Sequence, residues 1–158
     1  MSKAQLAKRC QEELAPHLRR LTDRCVGELR TIISGKHPPK TYLLMFVYDS
    51  MQFGREFPVM LWRFDRAGRE FSNQRLLADE EVTVPEEILS RYESEDITPD
   101  PYLITARLFV EWFADCWRDA GGASCTFPGY LKHHDDTTSY DLKRRRKVEF
   151  PQPRFPDA

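Results

Sequence analysis

Thr41-Tyr42-Leu43-Leu44-Met45-Phe46-Val47-Tyr48-Asp49 is the stretch whose reading decides the fold. It is a continuous apolar run, rich in aromatic and branched residues and too short for an ordinary helix. A strand with one wet face alternates apolar and polar residues, whereas an unbroken apolar run is expected where both faces are covered. The stretch therefore predicts a central strand, buried on both sides.

Working outward, Ser50 to Glu56 reads as a loop containing Gly54. Phe57 to Asp65 reads as a second strand, with Phe57, Val59, Leu61 and Arg63 on one face and Met60, Trp62 and Phe64 on the other. Pro58 suits the first residues of a strand or an edge. Asp65-Arg66-Ala67-Gly68 is a tight turn with glycine last, and Arg69 to Ser72 adds a short third strand. This is the pattern of an antiparallel hairpin or meander. Two further short strands are expected at Gly129–His134 and Ser139–Leu142, joined by the polar turn Asp135-Asp136-Thr137-Thr138. Lys143 to Lys147 is five basic residues in a row, read as a solvated segment that balances acidic charge elsewhere. Residues 151–158 form a Pro-rich tail with no regular structure expected.

Helical periodicity frames these strands. Leu6, Cys10, Leu14, Leu18, Leu21, Cys25, Leu29 and Ile32 recur at steps of three and four residues. Pro16 interrupts the ladder by removing a donor, yet the stripe keeps its face, so a kink or two abutting helices are expected over 3–34. Val84-Pro85-Glu86-Glu87 starts a short helix running to about Glu93. Tyr102 to Ala120 is the second long helix, Trp-rich, ended by Gly121-Gly122. The fold class is α+β: one domain over 1–150, with a small antiparallel sheet of three to five strands and the two long helices packed on it. Its sheet core is expected to be Leu44, Phe46, Tyr48, Met60, Trp62 and Phe64. These would meet Leu21, Cys25, Leu29, Phe109, Phe113 and Trp117.

The chain has 158 residues, is 41% hydrophobic and carries a net charge of −1. That suits one domain with a real core. No run of about 18 apolar residues exists and the N-terminus has no apolar leader segment, so a cytoplasmic protein without membrane association is expected. Cys10, Cys25, Cys116 and Cys125 match no zinc spacing and read as free thiols. The small total charge hides a strong asymmetry. Between Asp79 and Asp100 nine acidic residues face one basic residue, Arg91, a net of −8, while the first forty residues carry net +5. Such a field steers association with charged partners.

Chemistry-bearing clusters are few. His133-His134-Asp135-Asp136 is the one that looks like a site, for a metal or for acid–base work in a small hydrolase. Against this, neighbouring residues on a strand point to opposite faces, so His133 and His134 are not expected to share an ion. Cys116 lies among Trp112, Phe113 and Trp117 and is expected to be buried, and Cys125 precedes His133 by eight residues in no recognised pattern. Phosphate-cradling glycine motifs, the serine elbow and the zinc-protease helix motif are absent. No catalytic residue, metal or cofactor is therefore expected. The run Lys143–Lys147, with Tyr140 or Phe150 stacking on bases, would suit a nucleic-acid-associated regulatory protein. One basic run in a chain of pI about 6.4 is thin support for that.

The order of elements resembles a known group. A long N-terminal helix leads to a strand pair ending in Trp62-Arg63-Phe64-Asp65-x-x-Gly68. An acidic helical middle, a helix spanning Trp112 to Trp117, and a close on Gly121, Pro128, Tyr130 and His134-Asp135 follow. This organisation is similar to the small cytosolic immunity proteins of bacterial polymorphic and contact-dependent toxin systems. The resemblance implies a non-enzymatic protein that binds one toxin domain and occludes its active site. Many such toxins have basic clefts, which an acidic face would suit. The resemblance carries over no site residue. The concentration of negative charge itself points to Asp79, Glu80, Glu81, Glu86, Glu87, Glu93, Glu95 and Asp96 as the partner-binding face, and the expected partner is a cognate protein with a basic surface.

Overall fold

β1 (Leu43–Tyr48) runs through the middle of the sheet, as the unbroken apolar stretch predicts. The computed structural model describes residues 1–50, 55–78 and 82–149. Ahead of β1 come α1 (Lys3–Arg19) and α2 (Thr22–Ser34), and after it β2 (Val59–Phe64), β3 (Glu70–Leu76), α3 (Glu86–Ser94) and α4 (Pro101–Asp119). A 3-10 turn at Gly122–Ser124 leads to β4 (Gly129–His133), β5 (Thr138–Asp141) and β6 (Arg146–Glu149). The strands form one sheet in the order β3-β2-β1-β4-β5-β6. The class is α+β, but the described sheet has six strands rather than three to five, and it is mixed. β1 pairs antiparallel with β2 and parallel with β4. Parallel neighbours need a long crossover, and the chain through α3 and α4 supplies it.

β6 is the strand that sequence reading did not foresee. Arg146 and Lys147 belong to the basic run, which is not a loose tail: Lys143 to Arg145 turn the chain and the last two residues pair with β5. A four-residue strand with three exposed charged residues and a single apolar one, Val148, shows no alternation to detect. Such residues are well suited to a sheet edge, where charge discourages pairing with another chain.

The two faces of the sheet differ. Leu44, Phe46 and Tyr48 pack with the helices, together with Val59 and Leu61 of β2 and Leu131 of β4. Met60, Trp62 and Phe64 do not join them. The register sets Phe46 opposite Leu61 and Met45 opposite Trp62, so Trp62 and Phe64 share the far face with Leu43, Met45, Val47 and Tyr130. β1 is thus covered on both sides, by helices on one and by large neighbouring side chains on the other.

The N-terminal apolar stripe keeps its face across the break: Cys10, Leu14, Leu18, Leu21, Cys25, Leu29 and Ile32 are all buried. Two abutting helices carry it. Pro16 sits inside the last turn of α1, and the chain breaks at Arg20–Leu21 before α2. α1 opens on a capping box in which Ser2 Oγ accepts from Gln5 N–H and Gln5 Oε1 accepts from Ser2 N–H. α4 opens on Asp100, whose carboxylate accepts from Leu103 N–H, with Pro101 first in the helix. Phe109, Phe113 and Trp117 of α4 fill the space over β1. Phe109 stacks on Phe57 at 4.7 Å and 9°, while Phe113 and Trp117 lie 5.2 and 5.6 Å from Phe46. Stacked, tilted and edge-on ring pairs of this kind are favourable beyond simple burial. No described helix is long and apolar enough to cross a membrane.

Candidate functional site

α3 is a short amphipathic helix. Leu89 and Tyr92 face the core, and Glu86, Glu87 and Glu93 are exposed. Two carboxylates in its first turn lie where the helix dipole favours them. Glu95 and Asp96, exposed in the following turn, extend the same negative surface. Asp79, Glu80 and Glu81 lie outside the described residues. Arg91, the one cation of the acidic block, is turned to α1, where it pairs with Glu13. Glu13 also accepts from Tyr92 Oη at 2.8 Å. Arg91 therefore compensates a carboxylate from another element and not its own block. Lys3 approaches Asp96 at 3.3 Å and Arg55 approaches Glu86 at 3.5 Å. Pairs this exposed screen the surface only weakly. Tyr102 Oη donates to Glu93 at 3.0 Å. Partial burial, that bond and the charges of Glu93, Glu86 and Asp100 together push its phenol above the ordinary range.

The histidines form a second constellation. β4 ends at His133, and the chain enters a turn at His134, so strand alternation stops there. The expectation that His133 and His134 would point apart fails for this reason. Their rings lie 4.7 Å apart, and both approach Asp49, which follows β1, the parallel neighbour of β4. Asp49 Oδ1 is 3.0 Å from His134 Nδ1 and 4.0 Å from His133 Nε2. His134 N–H donates to Tyr48 O at 2.9 Å, and Tyr48 meets the His133 ring edge-on at 5.2 Å. Asp135 Oδ1 lies 3.0 Å from His134 Nε2. Asp49 carried no signal in the sequence, because only the parallel pairing of β1 and β4 brings it to the histidines. Asp136 is committed to its own turn, accepting from the Thr138 backbone N–H and hydroxyl, both at 3.1 Å. Those bonds hold its carboxyl below the usual range, the backbone bond most strongly.

Ser50 Oγ lies 3.1 Å from His133 Nε2, which suggests a nucleophile and its base. The other ring nitrogen decides against it. Asp135 N–H donates to His133 Nδ1 at 3.2 Å, so Nδ1 presents a lone pair. The neutral ring then holds its proton on Nε2 and donates to Ser50. A base poised to take the serine proton needs the opposite tautomer, with Nδ1–H held by a carboxylate. A cavity of about 440 Å³ opens beside His133, with Tyr48, Arg107, Glu111 and Lys147 on its walls. A larger one, about 580 Å³, opens where β1 begins, between Tyr42, Arg66 and Phe127.

The remaining candidates are placed elsewhere. Cys125 precedes β4, whereas His133 ends it, and a five-residue strand spans roughly 13 Å between its ends. Cys10 and Cys25 are fully buried and Cys116 is 1% exposed. Burial pushes the Cys10 thiol up to about 11. A hydrogen bond with Cys116, followed by burial, pushes the Cys25 thiol far higher. A thiol reagent at neutral pH should therefore modify one cysteine quickly in the folded chain, Cys125, and the other three only after unfolding. Mass spectrometry of the labelled native protein checks this, and rapid modification of Cys25 or Cys116 would contradict the packing described. In the basic run, Arg145 is tied to Asp115 of α4 at 2.8 Å and Arg144 approaches Asp141 at 3.9 Å. Phe150 lies outside the described residues. Comparison with family models, curated proteins and solved structures returns no match.

Proposed function

We propose that this chain is a non-enzymatic binding protein of the immunity type, whose acidic face engages the basic surface of a cognate toxin domain and covers its active site. The observation that carries this reading is the exposure of Glu86, Glu87, Glu93, Glu95 and Asp96 on α3 and its following turn, with Arg91 drawn away to Glu13. Concentrated like charge destabilises the compact state. Its retention on one exposed face is reasonable where it accelerates encounter with an oppositely charged partner. The tautomer at His133 supports the non-enzymatic part, since it leaves Ser50 without a base.

The test reverses charge at three exposed positions, Glu86→Lys, Glu87→Lys and Glu95→Lys together, where the dipole contact of the first turn and the Glu86–Arg55 pair are solvent-screened. Exposed charges contribute little to stability, so thermal unfolding should move by no more than a few degrees. Partner capture from the source cells with the wild-type chain, followed by stopped-flow mixing, should show association slowed about tenfold or more at low salt, with the gap closing as salt rises. Co-expression with the captured partner should restore growth for the wild-type chain and fail for the variant. Equal association rates at low salt would reduce the acidic block to a solvated surface and remove the basis of this function.

A further inference from the structure

We infer that Asp49, His133 and His134 form a binding site for one divalent transition metal ion, with Zn²⁺ the best match. This goes beyond the acidic binding face and shares no residue with it. One oxygen and two imidazole nitrogens, all lying within 4.8 Å of one another, converge from the ends of two hydrogen-bonded parallel strands. Borderline ions favour imidazole with carboxylate, whereas Ca²⁺ and Mg²⁺ favour all-oxygen shells.

The spacing is close to what the ion needs. In tetrahedral zinc, bonds of about 2.0–2.1 Å set neighbouring donor atoms about 3.4 Å apart. Asp49 Oδ1 and His134 Nδ1 are slightly nearer than that at 3.0 Å, and His133 Nε2 is slightly farther at 4.0 Å from Oδ1. A small rotation of the His133 ring closes the difference. Three protein ligands leave a fourth position for water or an incoming group.

The surroundings divide the two histidines. His134 meets a carboxylate at each ring nitrogen, Asp135 Oδ1 at Nε2 and Asp49 Oδ1 at Nδ1, both at 3.0 Å. The ion replaces the proton shared by Nδ1 and Asp49, while Asp135 holds Nε2–H in place. His133 must change. In the free chain its Nδ1 accepts from Asp135 N–H, so its proton sits on Nε2, the atom that would bind. Binding moves that proton to Nδ1, keeps the ring neutral, and breaks the bonds to Asp135 N–H and Ser50 Oγ. In balance, the His133 ring exchanges one N–H for the other, the proton between His134 Nδ1 and Asp49 Oδ1 leaves to solvent, and the ion gains two nitrogen donors and one carboxylate oxygen. This tautomer change distinguishes the site from casual binding at a surface histidine.

The probe is Zn²⁺ alone, titrated by calorimetry into the full chain, with Co²⁺ as a visible-absorbing substitute. One ion per chain should bind, and Co²⁺ should show the intense bands of a four-coordinate site. Asp49→Asn, which keeps shape, and His134→Ala should each weaken binding about 100-fold or more. Asp135→Asn, which alters only the supporting carboxylate, should weaken it about tenfold. His17→Ala, on α1, should leave it unchanged. In ¹⁵N-histidine spectra the His133 proton should move from Nε2 to Nδ1 as Zn²⁺ is added, and the Asp135 amide should shift with it. Circular dichroism confirms that each variant is folded. Absence of binding to the wild-type chain would overturn the inference. So would binding that survives Asp49→Asn and His134→Ala, or binding that leaves the His133 proton on Nε2.

Discussion

Trp117→Ala will remove about 3–5 kcal/mol of folding free energy, the range for deleting a large buried aromatic. The indole is 1% exposed and lies 5.6 Å from the Phe46 ring at 67°, an edge-on contact at the centre of the interface between α4 and β1. Domains of this size are stable by about 5–15 kcal/mol, so the loss takes a large share of the total. At about 2–4 °C per kcal/mol the midpoint should fall by roughly 10 °C or more. Trp117→Phe should be much milder than its volume suggests. Trp117 Nε1 is buried and has no hydrogen-bond acceptor among the described residues. A buried donor left unpaired carries a penalty of about 1–3 kcal/mol, which phenylalanine removes. Urea unfolding of the three chains gives the comparison. An alanine variant within about 1 kcal/mol of wild type would mean that Trp117 does not sit where the core is described.

Local chemistry made much of this fold legible. The unbroken run 41–49 identified the central strand, because burial on both faces removes alternation. The three-and-four stripe from Leu6 to Ile32 survived the chain break because the two helices press on the same surface. Long-range pairing was not legible. Val59 or Met60 could equally face the helices until the register with β1 is known, and a one-residue choice exchanges every side chain between faces. The sequence alternates correctly through β2, but nothing local says which set is inside. Trp62 and Phe64 look like core residues, yet they are half-buried and pack on Leu43 and Met45, on the other side of the sheet from the helices. β6 escaped notice because edge strands can be built from charged residues.

The same division holds for the candidate sites. α3 was readable because Pro85 and two glutamates mark a helix start, and Leu89 and Tyr92 show which side goes inward. The partner of Arg91 was not, since Glu13 lies 78 residues away. The histidine cluster is the sharper case. Alternation is sound within a strand, and it misled here because β4 stops one residue before His134. A strand end is where element boundaries are least certain, and at this boundary the chain turns both imidazoles toward Asp49. Asp49 itself is 84 residues from His133 and meets it through the β1–β4 pairing alone.

Gly129→Ala and Gly122→Ala should each destabilise the chain by about 2–3 kcal/mol, at the upper end of the usual penalty for overfilling a packed core. A Cβ at Gly129 would lie 2.6 Å from Trp117 Cζ2 and one at Gly122 would lie 2.2 Å from Trp117 Nε1. Neither glycine is needed for its backbone angle, so space is the whole requirement. The indole has little room to retreat, because Phe46 stands against it with ring centres 5.6 Å apart. The penalty at Gly129 should therefore depend on Trp117. In a Trp117→Leu background the added methyl finds room, and Gly129→Ala should change stability by less than about 0.5 kcal/mol. It could even be favourable there, since alanine is preferred over glycine within a strand by about 0.5–1 kcal/mol. The double-mutant cycle should give a coupling of about 2 kcal/mol, well above the few tenths expected for independent sites. Urea denaturation of the four chains measures it. An equal penalty in both backgrounds would place the cost of the methyl somewhere other than the indole, and the close approach of β4 to Trp117 would then not be what requires glycine at 129.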